Sequence, residues 1–197
     1  GNTRRFGASL EKIKQVVDVR KGEIMFGLNM IVHKGRTIFV GDTSVHEYPT
    51  SEQMAEIAIS TARVVRLFGF DPKVAFVSHS TFGQPLTSRT KHIRSAVEIL
   101  KERKVDFEFD GDMQPDVALN PEYEELYPFA KIVGKANILI MPGQHSAAIS
   151  YKLMKTIGNT KVIGPLLIGL GLPIEIAPLR SSTSEILNLA SIAAYSS

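Results

Sequence analysis

From Lys73 to the end of the chain, short apolar and β-branched runs take turns with segments of helical spacing, and this alternation restricts the fold more than any other feature. Strand-like runs fall at 73–78 (KVAFVS), 105–109 (VDFEF), 137–141 (NILIM), 162–163 and 174–177 (IEIA). Helical segments lie at 88–101, in a Ser146-capped stretch reaching Ile157, and at 182–194. Upstream, runs at 23–32 and 36–42 flank His33-Lys34-Gly35, whose glycine suits a tight hairpin. Thr50 with Gln53 three residues on forms a capping box, and Gly69 supplies a helix stop. Between them Met54, Ile57, Ala58, Thr61, Val65 and Phe68 share one helical face. The pattern predicts one α/β domain, with a largely parallel sheet, helices on both faces and an antiparallel hairpin. No internal repeat, low-complexity tract or linker interrupts it.

At 197 residues and 44% apolar composition the chain is able to bury a substantial core. Its 23 basic and 20 acidic side chains are interspersed, for a net charge of +3, so no basic stripe suited to nucleic acid forms. The absence of cysteine removes disulfides, thiolate metal sites and cysteine nucleophiles, and the expected compartment is the cytoplasm. No apolar run approaches the roughly 20 residues that span a bilayer, and the start GNTRRFGASLEKIK lacks a signal-peptide centre. Beginning without Met and ending on AAYSS, the sequence reads as a piece of a longer chain, a pattern that processing would also leave.

In open α/β sheets ligands bind beyond the carboxyl ends of the strands, which directs attention to SHSTFGQP, DGDMQPD, MPGQHSA and APLRSST. Residues 78–83 offer hydroxyls and backbone amides before a helix, readable either as an anion loop or as a plain turn. Asp110, Asp112, Gln114 and Asp116 alternate like the beginning of a calcium loop, but Pro115 and Pro121 stand where that loop needs glycine and glutamate. The five histidines show no metal-ligand spacing, and no metal site is predicted. GLGLPI lacks the third glycine of a dinucleotide fingerprint and reads as a close-packed turn. Ser182 and Glu185 fit a capping box, which gives the carboxylate a structural task. Arg180 precedes a helix amino end that is already positive, so it gains nothing from the helix itself. Two readings stay open: an anion pocket shared with the amides of 182–184, or an ion pair with a carboxylate such as Glu175.

The segments GDTSVHEYPTSEQMAEIA, PKVAFVSHSTFG, DGDMQPDVAL, GKANILIMPGQHSAAISYKL, IGPLLIGLGLPI and LRSSTSEILN together resemble the later part of the phosphate acetyltransferase family. TRRFGASLEKIKQVVD, MIVHKGRTIFVGDTSVHEYPT and SHSTFG point to the phosphotransacetylase-like carboxyl-terminal domain of hybrid bacterial NADP-dependent malic enzymes. The resemblance implies a three-layer α/β/α sandwich with a mostly parallel mixed sheet, like that of isocitrate and isopropylmalate dehydrogenases. It also implies that residues 1–197 are the second lobe and last helix of a longer domain. Family acetyltransferases hold coenzyme A between lobes, beside a serine-arginine loop and an aspartate that serves as base. By that resemblance Arg180 matches the arginine, Leu179 replaces the serine, and Glu185 takes the place of the aspartate. Ala147-Ala148 replace a Gly-Asn pair. The ligand contacts implied are Arg180, Ser181 and Ser182, with Ser80 and Thr81 at a neighbouring strand end. The function implied is a regulatory, acetyl-CoA-sensing and oligomerising domain attached to a malate-oxidising part, which would hold the NADP and divalent metal. Two other readings are an active phosphate acetyltransferase and a purely structural domain.

Overall fold

A computed structural model describes residues 4–158 and 160–195; Gly1–Thr3, Asn159 and Ser196–Ser197, which the expected 1–197 domain includes, lie outside it. The elements in chain order are α1 (Phe6–Val16), β1 (Phe26–His33), β2 (Arg36–Gly41), α2 (Ser51–Leu67), β3 (Lys73–Val77), α3 (Ser88–Glu102), β4 (Glu108–Met113), α4 (Pro115–Leu119), a 3-10 turn (Pro121–Leu126), β5 (Ile138–Ile140), α5 (Gln144–Ile157), β6 (Lys161–Ile168) and α6 (Thr183–Tyr195). The six strands form one sheet in the order β4-β3-β5-β2-β1-β6. β4, β3, β5 and β2 are mutually parallel, while β1 pairs antiparallel with both β2 and β6.

Strand side chains alternate between two cores, as a period of two requires. Val74, Phe76, Phe39, Ile138 and Ile140 pack with Met54, Ile57, Ala58 and Val65 of α2, with Ile93, Ala96, Val97 and Leu100 of α3, and with Leu189 of α6. Ala75, Val77, Val40 and Leu139 face the other way, onto Val117 and Ala118 of α4 and Ala147 of α5. The result is the three-layer α/β/α arrangement. α1 forms a third, smaller cluster through Leu10 with Leu167, Leu170 and Ile176. α2 begins as its residues dictate: Thr50 and Gln53 close both hydrogen bonds of the capping box.

Several elements depart from the sequence expectation. The polar, basic start, read only as lacking a signal peptide, contains α1, which exposes its charged face. The strand expected at 105–109 is displaced to Glu108–Met113: Val105 and Phe107 pack on the first core while Arg66 pairs with Asp106, so ladder pairing starts only at Lys73 opposite Glu108. The stretch at 162–163 extends into an eight-residue strand, because the register shift of β1 between Leu28 and Met30 absorbs Gly164-Pro165 on the sheet edge. Leu166 and Leu167 then fill opposite faces. The strand expected at 174–177 does not form. The Leu167 N–H instead donates to the Glu175 side-chain carboxyl oxygen at 3.0 Å. Gly143, not Ser146, caps α5; the Ser146 hydroxyl donates back to the Gly143 carbonyl at 2.8 Å.

Candidate functional site

The segment following β6 returns over the strand and enters α6, so that Arg180 and Ser181 face Ile163 and Gly164 across a pocket of about 110 Å³. Lys155 from α5 and Glu185 and Asn188 from α6 complete its polar lining. Glu185 and Asn188, one helical turn apart, point the same way.

Glu185 is held from both sides. Its Oε2 accepts from the Ser182 amide at 2.8 Å and the Ser182 hydroxyl at 3.1 Å, while its own amide donates to Ser182 Oγ at 3.2 Å. Its Oε1 accepts from Lys155 Nζ at 2.9 Å. The lysine bond, followed by the Ser182 amide, lowers the carboxyl to about 2. A carboxylate this stabilised in its charged form is a weak proton acceptor. Ser182 is likewise committed: its amide and hydroxyl serve the cap, and the Ser181 amide donates to the Pro178 carbonyl at 3.0 Å. Of the amides at 182–184 considered from sequence, that of Ser182 is therefore taken by the cap.

Among the described residues, the Arg180 guanidinium forms no hydrogen bond or ion pair, and Glu175, the partner considered from sequence, points to Leu167 instead. Asn188 adds a second open donor, since its buried Nδ2 has no partner. Sequence reading did not single out Asn188; its signal was its spacing from Glu185 on a helix whose first turn was already implicated. Leu179 is exposed and brings no hydroxyl to the loop.

Ser80 and Thr81 are not beside this pocket. They follow β3, which stands four places from β6 in the sheet, roughly 20 Å at 4.7–4.9 Å per strand. Both face inward: Ser80 donates to Asp112 Oδ2 at 2.5 Å, and Thr81 Oγ1 accepts from the Gln114 amide at 3.2 Å. The alternating acidic run also serves the loops, with Asp110 accepting from the Lys131 amide and Asp116 from the Tyr123 hydroxyl. The Ala147 of the replaced Gly-Asn pair is packed in the second core. No helix among the described residues is long and apolar enough to cross a membrane.

The fold and its sequence match a known class. The family model for phosphate acetyl/butaryl transferase covers residues 1–194, and the chain belongs to that family. It is 45% identical to an NADP-dependent malic enzyme of Rhizobium meliloti over 99% of this chain, and spans 26% of that enzyme's length. A phosphate acetyltransferase of Bacillus subtilis is 32% identical over 94% of the chain, which spans 57% of it. A phosphotransacetylase from Streptococcus pyogenes superposes with a TM-score of 0.91 at 29% identity, covering all of this chain and 61% of that one.

Proposed function

We propose that this chain is a regulatory domain that binds acetyl-CoA at the Arg180 pocket and governs a malate-oxidising, NADP-dependent part of a longer protein. The observation that carries the reading is the pairing of two unpartnered donors, Arg180 and Asn188 Nδ2, on a pocket whose carboxylate is already neutralised by Lys155. Such a pocket suits an anionic, carbonyl-bearing ligand: the guanidinium fork takes a phosphate or carboxylate and the amide a carbonyl oxygen. It lacks what acetyl transfer needs, because Leu179 offers no hydroxyl and Glu185 is fixed in its charged form. Malic enzymes among its relatives support the assignment of the attached activity.

Regulation then follows from differential affinity. A ligand preferring one arrangement of the attached parts by roughly 1–3 kcal/mol shifts the equilibrium between arrangements about 5- to 150-fold. On α5, Ile149, Leu153 and Ile157 stand 59%, 54% and 81% exposed along one apolar stripe. We assign this stripe to subunit contact, and Leu153→Glu should lower the mass seen by light scattering.

The test is calorimetric titration of acetyl-CoA into the full-length protein and its Arg180→Ala variant, with malate oxidation followed in parallel. Binding and inhibition in the parent, both lost in the variant, support the proposal. Phosphate-dependent acetyl transfer by the parent, or binding unaffected by Arg180→Ala, overturns it.

A further inference from the structure

Three pairs of adjacent parallel strands send their following segments to opposite faces of the sheet. α2 and α3, after β2 and β3, pack on the first core, whereas α4 and α5, after β4 and β5, pack on the second. A gap therefore opens beyond the carboxyl ends of β2/β5, β3/β4 and β3/β5, and gaps of this kind receive ligands in open α/β sheets. Two of the three are closed by the protein itself. At β2/β5 the Gln144 amide donates to the His46 carbonyl at 3.1 Å and Gln144 Nε2 to the Ser44 carbonyl at 3.3 Å. At β3/β4 the Phe82 amide reaches the Asp112 carbonyl at 2.6 Å, Ser80 reaches Asp112, and Gln114 Nε2 reaches the His79 carbonyl at 3.2 Å.

The third gap stays open as a crevice of about 330 Å³ between α3 and α5. Arg89 and Ile93 line it from α3, Ser146 and Ser150 from α5, and Ser78 and His79 from the end of β3. No carboxylate is among its lining residues. Arg89 has no hydrogen-bond or ion-pair partner among the described residues, and its guanidinium sits 5.4 Å from the Tyr48 ring centroid, a contact that uses the cation's face and leaves its N–H edge available. Ser146 and Ser150, four residues apart, present hydroxyls on one helical face.

We infer that this crevice is a second ligand site, separate from the Arg180 pocket, for a small molecule bearing a phosphate or similar oxyanion. The guanidinium edge supplies charge-assisted bonds and the Ser150 hydroxyl donates to a remaining oxygen, while Ser146, whose proton goes to the Gly143 carbonyl, only shapes the wall. A volume near 330 Å³ accommodates a compact phosphorylated metabolite.

Inorganic pyrophosphate serves as the probe, titrated into the full-length protein at constant ionic strength. Arg89→Gln, an exposed position that should leave folding intact, is expected to weaken binding about tenfold or more. Ser150→Val, which fills the crevice and keeps the charge, should do the same, and Arg180→Gln should change the affinity less than twofold. No binding by the parent at millimolar pyrophosphate, or binding that survives both Arg89→Gln and Ser150→Val, overturns the inference. Loss with Arg180→Gln alone places the anion in the other pocket and also overturns it. Acetyl-CoA titration of Arg89→Gln keeps the two claims apart, since the Arg180 proposal expects that affinity to be unchanged.

Discussion

Lys155 Nζ and Glu185 Oε1 are 2.9 Å apart, joining the last turn of α5 to the first turn of α6 across the mouth of the Arg180 pocket. Because the other oxygen of Glu185 caps Ser182, one carboxylate fixes both the direction of α6 and the position of the loop that carries Arg180. Removing the charge should therefore disturb stability and ligand binding together.

Glu185→Gln is expected to cost about 1 kcal/mol near neutral pH, the scale of a solvent-screened ion pair plus a weakened cap. The folded carboxyl titrates at about 2, below its ordinary 4.5. Its contribution is thus complete above pH 4.5 and fades as pH falls toward 2. Urea unfolding at pH 7 and pH 3 should show a gap between parent and variant that narrows at the lower pH.

Glu175 has the opposite linkage. Burial raises its carboxyl to about 8, only partly offset by the bond from the Leu167 amide. The native state holds a proton that the unfolded chain releases near 4.5, so stability declines as pH rises from there through 8. Glu175→Gln keeps an acceptor for Leu167 without the charge. It should raise stability by roughly 1–3 kcal/mol at pH 8 and leave it nearly unchanged at pH 4.5, as read by thermal unfolding.

Asn188→Leu should separate ligand affinity from stability. The substitution removes a buried donor with no partner, so Tm should hold or rise slightly, whereas acetyl-CoA affinity should fall about fivefold. A drop in Tm with unchanged affinity would assign Asn188 to the scaffold.

Gly169→Ala should destabilise by about 2 kcal/mol or more. Gly169 has φ +88°, and an added Cβ would press on the Ile24 carbonyl oxygen. Denaturant unfolding checks the magnitude, and ligand affinity measured under folding conditions should persist.

Much of the layer structure was legible in the sequence because it rests on local periodicity and capping. The α2 face of Met54, Ile57, Ala58 and Val65 is buried as its spacing predicted, and the Ser182 and Glu185 box forms as written. The edges of strands were less legible. Ile174–Ala177 has a strand-like composition, yet it forms no strand, and the Glu175 side chain accepts from the Leu167 amide. The run expected to stop at 162–163 continues through Gly164-Pro165, because an edge bulge accommodates that pair.

The candidate site divides along the same line. Sequence alone determined that Arg180 precedes a capped helix and that cysteine chemistry is absent, because these depend on residue identity and short spacing. Only the tertiary structure decided which loops meet. Strand order sends Ser80 and Thr81 far from Arg180, brings Lys155 onto Glu185 from thirty residues away, and leaves the β3/β5 gap open beside Arg89. The physical reason is that sheet neighbours are selected by burial of two faces and by long-range pairing, and neither is encoded in local spacing.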